Sequence, residues 1–144
     1  LKYADQNGEE QTPVVLHRAI LGSLDRFMAY MIEETKGKFP VWLAPLQVKV
    51  LPVSEKTMDY AKQVNQALED ANIRTQLDER SEKIGYKIRE ARQIDRAPYM
   101  LILGAKEAEE GTISVRNRDT DETTVMNLND FIAKVRNEIA TRAR

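Results

Sequence analysis

The sequence predicts an α/β fold in which a β-sheet carries helices packed on its faces. Three observations predict it. From Val48 onward, short β-rich runs alternate with segments of helical period, at the lengths typical of such sheets. A proline-bounded stretch, FPVWLAP from Phe39 to Pro45, interrupts the chain just before that repeat begins. Upstream of it lies a different pattern, one apolar run followed by one amphipathic helix.

The elements follow in order. Leu1 to Gln11 is polar, and Asn7-Gly8 suits a hairpin turn. Pro13 to Leu21 reads as a strand, and strand period puts His17, Ala19 and Leu21 on one face with Ser23 just beyond. Ser23 is placed to cap a helix that runs to about Lys36 and stops at Gly37, with Leu24, Phe27, Met28, Met31 and Ile32 as its apolar stripe. Past the proline stretch, Val48 to Val53 is a strand. Ser54 caps a helix whose apolar positions are Met58, Ala61, Val64, Leu68 and Ala71, closed by Asn72. Ile73, Thr75 and Leu77 alternate with polar residues as a half-buried strand does. Ile84 to Asp95 is a further helix, Tyr99 to Leu103 a core strand and Ile113 to Arg118 another, with a short strand at Val125 and Met126. Asn129 opens the last helix, striped by Phe131, Ile132, Val135 and Ile139 and closed by Arg142 and Arg144 against its dipole. The division expected is 1–38, a linker at 39–46, and 47–144.

Composition narrows the function. No apolar run reaches membrane-spanning length, and no signal peptide opens the chain. The absence of cysteine excludes disulfides and thiolate metal sites and fits a cytoplasmic location. A start at Leu1 makes this an expected piece of something longer. Net charge is −1, so contact with nucleic acid requires a local patch. Such a patch is offered between Arg74 and Arg96, where seven Lys or Arg face five Asp or Glu. Lys83 and Lys87 stand one helical turn apart, and Arg89, Arg92 and Arg96 form a second row. No GxGxxG or phosphate loop follows a predicted strand, which argues against a nucleotide-binding α/β domain.

Five segments carry a resemblance: HRAILGSLDRF, FPVWLAPLQVKVLPV, EKIGYKIREA, PYMLILGAKE and ISVRNRD. Together they resemble the end of the catalytic domain of class II aminoacyl-tRNA synthetases joined to the anticodon-binding domain, nearest the bacterial threonine enzymes. The resemblance implies a mixed β-sheet flanked by helices from 47 to 144, preceded by a strand–helix remnant of the antiparallel catalytic domain in 1–38. It further implies that the complete enzyme attaches threonine to its tRNA through threonyl-adenylate, using ATP with magnesium and one zinc ion. Such enzymes act as cytoplasmic homodimers. The piece alone is expected to bind the anticodon loop, to catalyse nothing useful and to hold no cofactor stably. Rival readings are a non-catalytic RNA-binding paralogue, or the equivalent domain of a prolyl- or glycyl-tRNA synthetase.

Residue by residue, Arg26 matches the arginine of the third class II motif, which meets ATP phosphates; a surface ion pair with Asp25 is the plainer alternative. His17 matches one ligand of the family's zinc, although a zinc site needs three protein ligands and this chain offers no cysteine and no second histidine. Ser23 matches a threonine contact and also serves as helix cap. Lys83 and Arg89 match positions near the anticodon loop, and Glu107 and Arg116 match positions that read its second and third bases. Ser81 stands where the family usually has asparagine, so a water bridge takes the place of direct readout there. Tyr86 is placed either to stack on a base or to pack on the sheet.

Overall fold

The structure, a computed structural model, describes residues 1–143; Arg144 and its expected dipole role lie outside the described residues. Two compact units divide within the first long helix, between Met31 and Ile32.

In the first unit, β1 (Tyr3–Ala4) and β2 (Glu10–Gln11) form an antiparallel hairpin. Asp5 builds its turn by accepting from the N–H groups of Asn7 and Glu9, and Gly8 supplies the left-handed residue at φ +80°. The expected strand at Pro13 to Leu21 is not formed: Thr12 to Ala19 has no assigned secondary structure. The physical reason is that a strand exists only through its ladder, and among the described residues no neighbouring strand pairs with this run. Val14, Leu16 and Ile20 consequently stand exposed. Helix α1 (Leu24–Thr35) forms as expected, but none of its residues is buried. Ser23 caps it, its Oγ accepting from the Arg26 N–H at 3.4 Å.

The second unit is a five-stranded mixed sheet in the order β4-β3-β5-β6-β7. Its strands are β3 (Val48–Pro52), β4 (Thr75–Leu77), β5 (Tyr99–Leu103), β6 (Thr112–Asn117) and β7 (Thr123–Asn127). The first three in sheet order are parallel, and β6 and β7 run antiparallel. Helix α2 (Met58–Asp70) connects β3 to β4 on one side, and α3 (Ile84–Gln93) connects β4 back past β3 to β5. Because the two crossovers travel in opposite directions along the sheet, right-handedness sends their helices to opposite faces. The packing agrees. Val48, Val50, Leu101 and Leu103 meet Ala61, Val64 and Leu68 of α2 and Phe131 and Val135 of α5 (Leu128–Thr141) on one face. Leu51 and Met100 meet Ala91, Ile84 and Ile88 of α3 on the other. Each fully buried Leu or Phe in these clusters contributes about 1.5–3 kcal/mol.

Helix α4 (Ala105–Glu110) was not expected from the sequence. It is a short turn of helix between Gly104 and Gly111, and Gly111 takes the left-handed φ of +66° that ends it. The last helix is capped by Asn127, whose Oδ1 accepts from Asn129 N–H at 2.8 Å, two residues earlier than expected. The Phe39–Leu46 stretch is bound into the second unit. Gln47 donates to the Val41 carbonyl, Arg74 to those of Ala44 and Trp42, and Arg118 to that of Phe39.

Candidate nucleic-acid interface

The parallel strands β3, β4 and β5 all end at one edge of the sheet, and chain leaving them supplies loops there, as α/β sheets do. After β4 the chain runs through Asp78 to Lys83 before α3 starts, which brings Ser81 and Lys83 to this edge, both exposed. They line a cavity of about 240 Å³ together with Arg80, Lys87, Val53 and Met58.

From that cavity a continuous line leads to β6. The Val53 N–H donates to the Leu103 carbonyl at 2.9 Å, which sets the end of β3 beside Gly104. Glu107 folds back over Gly104, its Oε2 accepting the Gly104 N–H at 2.9 Å, and its Oε1 takes the Ser114 hydroxyl at 2.7 Å. The Ser114 hydroxyl, with the main-chain N–H groups at the start of α4, holds the Glu107 carboxyl below the usual carboxylate range. Ser114 and Arg116 alternate with Val115, so both face the same side of the sheet. Arg116 pairs in register with Met100, a residue packed under α3, which identifies that side as the α3 face.

Helix α3 covers only part of this face. Beyond it Arg116, Thr123 and Val125 lie on the surface of β6 and β7, with Val125 59 % exposed. Arg92 projects from α3 toward this open area, since its Nη1 pairs with Asp121 Oδ2 at 3.1 Å in the β6–β7 turn. Asp121 Oδ1 in turn accepts from Nε and Nη2 of Arg116, each at 2.8 Å. Arg116 first, then Arg92, holds the Asp121 carboxyl below the ordinary range. Arg89, one turn before Arg92, is exposed on the same flank. Tyr86 is 51 % exposed on α3.

Two members of the expected basic rows are structural. Lys87 is 3 % exposed and donates its ammonium to the carbonyls of Asp78 and Pro52, so it forms no row with Lys83. Arg96 turns back to donate to the carbonyls of Lys36 and Gln93. Lys87 looks inward from α3, and Arg96 lies past the helix end at Gln93, where helical spacing no longer applies. Arg118 is also buried, tying Asp119 to the Phe39 and Arg96 carbonyls. Asp121 and the structural use of Ser114 had no sequence signal. The Arg142 guanidinium carbon lies over the Trp42 ring, 5.9 Å from its centroid.

The first-unit candidates are not assembled into a site. His17 and Arg26 are both exposed, His17 in the irregular segment and Arg26 on α1, and Arg26 makes no ion pair with Asp25 or any other acid among the described residues. No group of three His, Asp or Glu that could hold a metal ion occurs among the described residues, so this chain's own residues do not fit a zinc centre. No helix among the described residues is long and apolar enough to cross a membrane.

The chain is similar to several known proteins. A family model described as "Anticodon binding domain" matches residues 47–138. The threonine–tRNA ligase of Clostridioides difficile (strain 630) is 51 % identical over 140 residues, covering 97 % of this chain and 22 % of the relative. That of Caldanaerobacter subterraneus subsp. tengcongensis is 50 % identical over 143 residues, again 22 % of the relative. The chain thus spans about a fifth of the length of the curated relatives it matches. Among solved structures, the RNA-binding domain of threonyl-tRNA synthetase from Cryptosporidium parvum Iowa II superposes with a TM-score of 0.80 at 38 % identity, covering 95 % of this chain and 35 % of that one. A prolyl-tRNA synthetase from the same organism shares the fold, with a TM-score of 0.63 at 21 % identity over 72 % of this chain and 22 % of that one. With the mixed sheet, the loops at the ends of its parallel strands and the match across 47–138 in agreement, the chain belongs to the anticodon-binding-domain family.

Proposed function

We propose that this chain is the anticodon-recognising part of a threonine–tRNA ligase, and that its ligand is the anticodon loop of the tRNA for threonine. The observation that carries this reading is the line of polar groups from Ser81 and Lys83 through Glu107 to Arg116, beside an uncovered sheet face. Likeness along the whole chain to proteins named threonine–tRNA ligase supports the choice of amino acid.

Each group has a chemical part in it. Lys83 and Arg89 are exposed cations suited to phosphate, which gives affinity without reading sequence. Arg116 offers paired donors to guanine O6 and N7, worth about 1–3 kcal/mol of discrimination. Glu107 spends one lone pair of each oxygen internally and keeps the others for a base amino group; its charge disfavours phosphate, so it acts on selectivity. Ser81 reaches a base through water.

The division into 1–38, 39–46 and 47–144 belongs to the same proposal. So does the role of 1–38 as the end of a catalytic domain, with Arg26 on ATP phosphates, Ser23 on threonine and His17 as one zinc ligand among others supplied elsewhere. The complete protein then makes threonyl-adenylate from ATP with magnesium and passes threonine to the terminal ribose of its tRNA, as a cytoplasmic homodimer.

The test is binding of this chain to a threonine anticodon stem-loop across a salt series, with the middle anticodon base varied. Preference for guanine at that base supports the reading. Equal affinity for all four bases overturns it.

A further inference from the structure

Asp121 is a residue of this surface for which the base-reading proposal has no role. It sits in the β6–β7 turn at φ +62°, a left-handed conformation that aspartate tolerates better than most residues. The turn is held firmly. Asn117 Oδ1 accepts from the N–H groups of Asp119 at 2.7 Å and Thr120 at 3.1 Å. The Asp121 N–H donates to the Asn117 carbonyl at 3.1 Å, and the Asn117 N–H donates to that of Glu122 at 3.0 Å. The backbone of Asp121 is therefore fixed relative to the end of β6, and its carboxylate is held there by its pairs with Arg116 and Arg92.

A guanidinium has two edges with parallel donors. The side edge carries Nε–H and one Nη2–H, and the end edge carries the outer hydrogens of Nη1 and Nη2. Asp121 takes the side edge of Arg116, with Nε and Nη2 both 2.8 Å from Oδ1. No hydrogen bond or ion pair among the described residues takes the end edge, whose two parallel donors can meet two acceptors side by side. Guanine presents such a pair in O6 and N7, whereas adenine offers a donor in place of O6. Through Oδ2 the same carboxylate holds Arg92 at 3.1 Å, so one negative charge serves two arginines. Two unpaired arginines here would attract any phosphate; paired to Asp121 they do so less.

We infer that Asp121 is a positioning residue for base recognition: it clamps Arg116 by its side edge so that the end edge alone faces the RNA, and it thereby sets the preference for guanine over adenine. This rests on the reading of Arg116 as a base reader.

The experiment compares wild type, Asp121→Asn, Asp121→Glu and Arg116→Ala, each as the full 144-residue chain, binding stem-loops that carry guanine or adenine at the middle anticodon position. Asp121→Asn loses about tenfold of the guanine preference, within the range of one bidentate contact. It binds the adenine stem-loop as well as wild type or better, with a salt slope that stays the same or steepens. Asp121→Glu, which keeps the carboxylate, recovers part of the preference. If Arg116→Ala loses the preference while Asp121→Asn keeps it in full, the clamp is wrong and the base reading stands. If Arg116→Ala keeps the preference, the base reading itself fails. A readout on the wild-type protein alone guards against a misfolded variant: the Arg116 Nε–H should exchange slowly with solvent by NMR, and exchange as fast as a free arginine overturns the clamp.

Discussion

Lys87 donates its buried ammonium to the main-chain carbonyl of Asp78 at 3.1 Å and stands 4.0 Å from the Asp78 carboxylate. A lysine one turn from Lys83 on a basic helix is thus a bolt between α3 and the ends of β3 and β4.

Truncating that bolt is expected to lower stability without changing RNA contacts. Lys87→Ala leaves the carbonyls of Pro52 and Asp78 short of a donor in a buried place and should cost about 2–4 kcal/mol in chemical denaturation. Lys83→Ala should do the reverse: unchanged stability, weaker binding to every stem-loop and a salt slope smaller by about one. A Lys87→Ala chain as stable as wild type would contradict the burial argument.

Glu107 links stability to acid. Its folded-state carboxyl lies below the ordinary value, chiefly through the Ser114 hydroxyl. Stability from this group is therefore present above the unfolded carboxylate value, about pH 4, and is lost as pH falls toward the lower folded value. Ser114→Ala should flatten the fall of the urea midpoint on acidification below about pH 4.5, relative to wild type. An unchanged acid profile would show that Ser114 does not set this titration.

Gly104 leaves room for the same carboxylate. A Cβ built there would stand 2.9 Å from Glu107 Oε2. Since the obstacle is the tip of a flexible side chain, Gly104→Ala should fold normally yet displace Glu107 from the Gly104 N–H. The expected readout is altered base selectivity in stem-loop binding, with an unfolding free energy within about 1 kcal/mol of wild type.

Phe131 is the test of the opposite face. It is fully buried and meets Tyr99 edge-on with ring centroids 5.4 Å apart. Phe131→Ala should destabilise by about 3–5 kcal/mol. Base preference should survive in whatever fraction stays folded, because α5 lies on the sheet face away from Arg116.

Much of the second unit was legible in the chain. Tyr99 to Leu103 is a continuous apolar run bounded by Pro98 and Gly104, and it forms the strand read from it. The stripe of Phe131, Ile132 and Val135 marks α5 because burial on one side imposes helical period. α4 escaped because AKEAEE has no apolar residue larger than alanine and is too short for a stripe; only its flanking glycines mark it. Pro13 to Leu21 misled for a different reason. Its composition is that of a strand, but a strand is a relation between segments, and no neighbouring strand in the described structure pairs with it.

The site divides along the same line. Residue type and local spacing, which the sequence carries, determined the alternation of strands and helices and the Ser23 and Asn72 helix ends, while resemblance to the synthetase family supplied the candidates Ser81, Lys83, Arg89, Glu107 and Arg116. Tertiary structure alone decided which cations face water: Lys87 and Arg118 are buried, while Arg89 is exposed. It also joined Arg92 on α3 and Arg116 on β6 through Asp121, residues far apart in sequence. The physical reason is that direction and pairing depend on how the crossovers place α3 over one part of the sheet and leave β6 and β7 uncovered. Local pattern does not contain that placement.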